Sequence, residues 1–143
     1  MIQQGLTNSF KQEMLQAGQN LATDTLRMAL YTAFSDIGQL TTAYTTSNEV
    51  VGTGYTAGGV VMTGVTINTE TTGPSAGTVY VDFNDVSWPG ASFTARGALI
   101  YNVTRSNKSV AVLDFGSDKT FTSSNNTVTM PANTATTALI RFP

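Results

Sequence analysis

FTARGALIYNV (Phe93–Val103), followed by SVAVLDF (Ser109–Phe115), decides how this chain is read. In the first stretch Leu99 and Tyr101 oppose Ala98 and Ile100, and in the second the run VAVL (Val110–Leu113) is apolar at every position. Both are strand-length and apolar on both faces. A strand in a free two-sheet sandwich needs only one apolar face. The second face must therefore be covered, whether by an N-terminal helix over one or two strands, by long loops, or by a partner subunit.

Outward from these stretches the pattern has a period of two. Thr25–Thr32 (TLRMALYT) alternates Leu26, Met28 and Leu30 with Arg27, Ala29 and Tyr31. Val79, Val81 and Phe83 oppose Thr78, Tyr80 and Asp82. Val60–Ile67, Thr127–Met130 and Ala135–Phe142 bring the expectation to about seven strands. Turn chemistry lies between them, at Gly52–Gly54, Ala57–Gly59, Gly73–Pro74, Pro89–Gly90, Gly116–Asp118, Ser124–Asn126 and Pro131–Asn133. The expected fold is mainly β, an antiparallel β-sandwich of jelly-roll or immunoglobulin-like form. No series of βαβ units suggests a doubly wound sheet.

Before this body, residues 3–17 place Leu6, Phe10 and Met14 four apart, followed by Ala17 and Leu21. That spacing predicts a short amphipathic helix stopped by Gly18. Its apolar stripe either packs on its own sheet or docks as an arm on a neighbour. The chain is thus read as an arm over residues 1–20 and a sandwich domain over 21–143. Deleting the arm is expected to leave a folded domain.

Composition removes classes of chemistry. Charged residues make up 11% of the chain, while Ser and Thr together make up about a quarter of it, so the polar surface is largely neutral. With no Cys there is no disulfide framework, thiol nucleophile or Cys-ligated zinc, and with no His there is no imidazole base. The net charge of −2 and seven scattered cations argue against nucleic acid as a partner. No apolar run is long enough to cross a membrane as a helix. MIQQGLTNSFKQEM does not read as a signal peptide. Three Asn-x-Ser/Thr matches follow from a chain rich in those residues.

Individual motifs add little chemistry. GTGYTAGG (Gly52–Gly59) lacks the Gly-Lys-Ser/Thr closure of a phosphate loop and reads as glycines taking positive φ before a strand. Asp82, Asn84 and Asp85 are a weak calcium pattern, with Asp85 expected to cap the turn before Trp88. No cofactor, metal or catalytic residue is expected, and the chain is not read as an enzyme. Trp88, with Tyr44, Tyr55, Tyr80 and Tyr101, reads as core or interface, or as a sugar-stacking platform. Arg96 and Arg141 lie in apolar strands, where each pairs with a carboxylate, faces a partner chain, or blunts a sheet edge. The candidate partner interface is therefore Leu6, Phe10, Met14, Trp88, Arg96 and Arg141.

TLRMALYTA (Thr25–Ala33), GTGYTAGG, VDFNDVS (Val81–Ser87), ARGALIY (Ala95–Tyr101) and AVLDFGSD (Ala111–Asp118), with the closing stretch to Phe142, resemble small virion structural proteins of tailed bacteriophages. The resemblance covers most of the chain after the helix and carries no active-site signature. It implies a capsid cement or decoration protein, β-rich, binding the major capsid protein at the capsid surface as a dimer or trimer. A cysteine-free chain suits assembly in the reducing host cytoplasm. The alternatives are a tail, baseplate or head–tail component, and a carbohydrate-binding receptor module.

Overall fold

A computed structural model describes residues 1–143. The elements are β1 (Gly5–Leu6), α1 (Asn8–Leu15), β2 (Leu26–Tyr31), β3 (Val60–Val61), β4 (Thr66–Thr69), β5 (Val79–Asp82), β6 (Val86–Ser87), β7 (Phe93–Asn102), β8 (Lys108–Phe121), β9 (Thr127–Val128) and β10 (Ile140–Phe142). The fold is mainly β, antiparallel and sandwich-like, with one short helix. The principal sheet has the order β1-β8-β7-β2-β3. Facing it are a three-stranded sheet, β10-β5-β4, and a two-stranded ribbon, β6-β9.

The main core lies between these layers. Leu26, Met28 and Leu30 of β2, Ala98 and Ile100 of β7 and Val110 of β8 pack against Val81, Ile140, Val86 and Val128 from the smaller sheets. The opposite face of the principal sheet carries Ala29, Tyr31, Leu99, Tyr101 and Val112, and it too is buried. Ile2 and Ile37 lie over it, with Tyr44 packed alongside. The second apolar face is thus covered within the chain, by the N-terminal residues and the long β2–β3 connection, without a partner subunit.

The structure builds the N-terminal segment into the body. β1 pairs with β8, so the helix begins at Asn8 rather than at residue 3. Thr7 ends the strand and caps the helix, its hydroxyl accepting from the Phe10 N–H. Phe10 is completely buried in the main core, Leu6 packs on that core, and Met14 stays partly exposed. A fully buried Phe typically contributes about 3–5 kcal/mol against truncation to Ala. Residues 1–20 are therefore not a detachable arm, and deleting them opens the core.

Four further details depart from the sequence reading. Val60–Ile67 is not one strand, because Gly64 (φ 66°) packs under the Asn84 side chain and divides it between two sheets. Gly116–Asp118 does not reverse the chain but forms a bulge inside β8, where the register jumps from Ala95↔Lys119 to Gly97↔Asp114. Asp114 holds that bulge, accepting from Gly116 N at 2.9 Å and from Arg96 Nε at 3.1 Å. Those two bonds keep its carboxyl below the usual range, with the Gly116 amide the larger influence. Ala135–Leu139 is irregular, and only Ile140–Phe142 pairs. Finally, the left-handed residue ending α1 is Ala17 (φ 56°), with Gly18 next, donating to the Glu13 carbonyl at 2.7 Å.

Two local arrangements, one of these and one at Asp24, are open to measurement. Ala17→Gly relieves a left-handed alanine at an exposed position and should raise stability by about 0.5–1 kcal/mol in urea unfolding. The second concerns Asp24, which is covered by its partners and accepts from Arg105 Nε at 2.8 Å, Asn102 Nδ2 at 2.8 Å and Asn20 N at 2.9 Å. The Arg105 bond is the main cause that holds its pKa at about 2. Because the folded value is depressed, the stabilisation is full above the unfolded carboxyl pKa near ~4 and is lost as pH falls toward about 2. Melting curves should show wild type above Asp24→Asn at neutral pH, with the gap closing across that acid window.

Candidate functional site

The connection Thr32–Gly59 is longer than the ~12–15 residues beyond which irregular loops are uncommon and usually functional. Its Ile37 and Tyr44 lie over the second face of the principal sheet, its Val50 and Tyr55 pack on the main core, and a buried acid braces it between them. Glu49 Oε2 accepts from the Tyr44 hydroxyl at 2.7 Å. Its Oε1 accepts from the Tyr55 hydroxyl at 2.6 Å and the Gly58 N–H at 2.7 Å. The Tyr55 oxygen accepts in turn from Leu30 N at 2.9 Å, joining the loop to β2. Tyr101 donates to the Gly58 carbonyl at 2.7 Å, and Arg27 donates to the Gly58 and Gly59 carbonyls at 3.2 and 2.6 Å. Tyr31 donates to the Thr45 carbonyl at 2.6 Å.

Electrostatics favours the neutral phenols. Burial raises Tyr31, Tyr44, Tyr55 and Tyr101 above the usual tyrosine value, and the Glu49 carboxylate, which all four sense, adds to it. The hydroxyls therefore stay protonated and act as donors, the role that a buried carboxylate requires. Gly59 shows why the loop must be glycine-rich here. It adopts φ 73°, and a Cβ placed there would lie 1.8 Å from the Met28 carbonyl oxygen. GTGYTAGG thus lets backbone approach backbone, and the Gly58 amide that a phosphate would need already serves Glu49.

While its interior is fixed, the loop turns large apolar side chains outward. Phe34 is 82% exposed, Leu40 85% and Val51 95%. Thr32 N donates to the Asn48 carbonyl at 3.0 Å and Asn48 Nδ2 donates to the Phe34 carbonyl at 3.1 Å, holding the Phe34 turn against the returning strand of the loop. Exposed apolar groups on a rigid backbone are pre-organised contact points, because little conformational freedom remains to be lost on binding. The candidate functional site is this braced apolar display.

The residues singled out in the sequence are placed differently. Trp88 is 1% exposed and packs edge-on against Phe121 at 5.7 Å, its indole N–H meeting no acceptor. Tyr44 stacks on Tyr101 at 4.7 Å inside the covered face. Neither offers a free surface on which a sugar could stack. Arg96 is taken by Asp114, whereas Arg141 finds no carboxylate and donates to the Thr136 carbonyl at 2.6 Å. Of the six candidate interface residues, Phe10 and Trp88 are buried within the chain, Leu6 and Arg96 are half-buried, and Met14 and Arg141 are exposed. Asp82, Asn84 and Asp85 turn to separate surroundings: Asn84 donates to Thr63 Oγ1 at 3.2 Å, and Asp85 accepts from Met130 N at 2.7 Å instead of capping the turn before Trp88. No three acidic side chains converge, and no helix is long and apolar enough to cross a membrane. Sequence reasoning missed Phe34, Leu40, Val51 and Glu49. The only signal was isolated apolar residues, and a lone glutamate, within a non-periodic Thr/Ser-rich stretch.

Comparison with known proteins found no matching family model, no matching curated protein and no matching solved structure.

The Glu49 brace can be probed directly. Glu49→Ala leaves two hydroxyls and a buried N–H without their acceptor and should lower unfolding free energy by about 3 kcal/mol. Tyr55→Phe removes the bond to the carboxylate and leaves the Leu30 N–H without its acceptor, and should cost about 2–3 kcal/mol. Urea unfolding of both variants provides the check.

Proposed function

We propose that this protein is a non-enzymatic structural component of a tailed-phage virion, a capsid cement or decoration protein that associates with copies of itself and binds the major capsid protein on the head surface. The observation that carries this reading is the rigid Thr32–Gly59 loop, which holds Phe34, Leu40 and Val51 in solvent on a molecule whose own core is complete. Each of the three is an exposed apolar side chain available as a contact point for a partner. The resemblance to small virion proteins supplies the partner.

The physics suits the task. A cement protein holds neighbouring capsomers through shallow contacts repeated over a shell, so that modest individual affinities are multiplied by valency. Hydroxyl and amide groups form hydrogen bonds at such contacts without the desolvation cost of buried charge. The low charged content and the Thr-rich surface provide those groups, and the loop's apolar side chains provide the anchors.

Quantitative mass spectrometry of purified particles of the encoding phage tests the assignment. A cement protein should be present in hundreds of copies, on the order of the major capsid protein. A handful of copies would move the protein to the tail or head–tail junction, and absence from particles would overturn the virion reading. The triple variant Phe34→Ser, Leu40→Ser, Val51→Ser should retain the wild-type melting temperature within a few degrees. It should lose at least tenfold in binding to undecorated capsids in a sedimentation assay.

A further inference from the structure

The principal sheet ends in β1 and β3, edges of two residues each, and the strands of the ribbon are equally short. Short edges offer little to pair with. The smaller sheet differs. Its β10 edge carries an exposed Arg141 and is followed by Pro143, both of which discourage an added strand. Its other edge, β4, is a free edge of four residues; the stretch of β8 beyond β1 is longer, but it carries the Gly116 bulge, Asp118 and Lys119. β4 reads TINT, with no charge, proline or bulge, and every residue is at least partly exposed.

The ladder shows which backbone groups are free. Glu70 N donates to the Thr78 carbonyl, so the alternation of an antiparallel pair turns Thr66 and Asn68 toward β5. Ile67 and Thr69 then direct their N–H and C=O groups outward. The Ile67 side chain is 49% exposed and borders an apolar groove of about 330 Å³, shared with Met14, Leu21, Val79 and Phe142.

We propose that two copies of this chain pair antiparallel through β4, joining two three-stranded sheets into one of six strands. Ile67 of one copy lies opposite Thr69 of the other, Thr69 opposite Ile67, and Asn68 faces its own counterpart on the two-fold axis. A second copy is the occupant because this register is self-complementary, as a two-fold interface requires. TINT also meets itself without any like charges in apposition. Each outward N–H gains an acceptor, and each Ile67 is taken from water beside a threonine methyl. The pairing gives the self-association of the preceding section a definite surface. It is testable on the isolated protein, without a capsid.

The chain has no cysteine, which makes the test direct. Asn68 pairs with its counterpart in a non-hydrogen-bonded position, where Cα atoms stand about 4.5 Å apart, within the ~4.4–6.8 Å that a disulfide spans. Single-cysteine Asn68→Cys should cross-link to a dimer under diamide at least tenfold faster than the exposed control Ser124→Cys. Wild type should sediment with a dimer mass at micromolar concentration. Thr69→Pro, which removes an outward N–H and no ladder bond, and Ile67→Lys should both sediment as monomers with unchanged melting temperature. A monomeric wild type, a trimer, cross-linking no faster than the control, or a dimer indifferent to both substitutions would overturn the pairing. Loss of capsid binding with an intact dimer would count against the cement reading alone.

Discussion

The β7–β8 hairpin carries apolar side chains on both faces, and a sheet in that condition folds only when a separate layer covers each side. One layer comes from the small sheets, which place Val81, Ile140, Val86 and Val128 against β2, β7 and β8. The other has no regular secondary structure. It is made by the N-terminal residues and the Thr32–Gly59 loop, which carry Ile2, Ile37 and Tyr44 over Leu99, Tyr101 and Val112. An irregular layer must satisfy its own backbone and side-chain polar groups where it is buried. Glu49 is the centre of that solution, collecting two tyrosine hydroxyls and a glycine amide at one carboxylate.

This arrangement links stability to display. Tyr44 stacks on Tyr101 over the second face and donates to Glu49, while Tyr55 donates to the same carboxylate from the main-core side, so packing and hydrogen bonding constrain the loop together. Phe34, Leu40 and Val51 are exposed on a backbone with little freedom, which distinguishes them from apolar residues on a fraying terminus. Assembly through such side chains loses little entropy, and the sparsely charged surface around them avoids expensive desolvation.

The N-terminal segment shows how one pattern serves two readings. Leu6, Phe10 and Met14 form a stripe that suits either an intramolecular contact or a docking arm, since periodicity records that a face is apolar and not what it meets. Strand pairing of Gly5–Leu6 with β8 and the burial of Phe10 settle it in favour of the chain's own core. Trp88 is a similar case. Its place before Pro89-Gly90 suggests an accessible turn, but the turn begins just beyond the indole, which the Phe121 ring helps to enclose.

The sequence by itself determined the mainly β class, the antiparallel pairing, the short helix and the two-faced burial of β7 and β8, because alternation along a strand is a local property written in consecutive residues. It also carried the glycine-rich approach at Gly58–Gly59, since positive φ and close backbone contact demand that residue type. Only the tertiary structure decided what covers the second face, where Val60–Ile67 breaks between sheets, that Gly116–Asp118 bulges instead of turning, and that Glu49 is buried while Phe34 and Val51 are not. Those outcomes depend on contacts between residues far apart in the chain. An isolated glutamate or phenylalanine in a polar stretch carries no periodic signal of which side of a folded loop it will occupy.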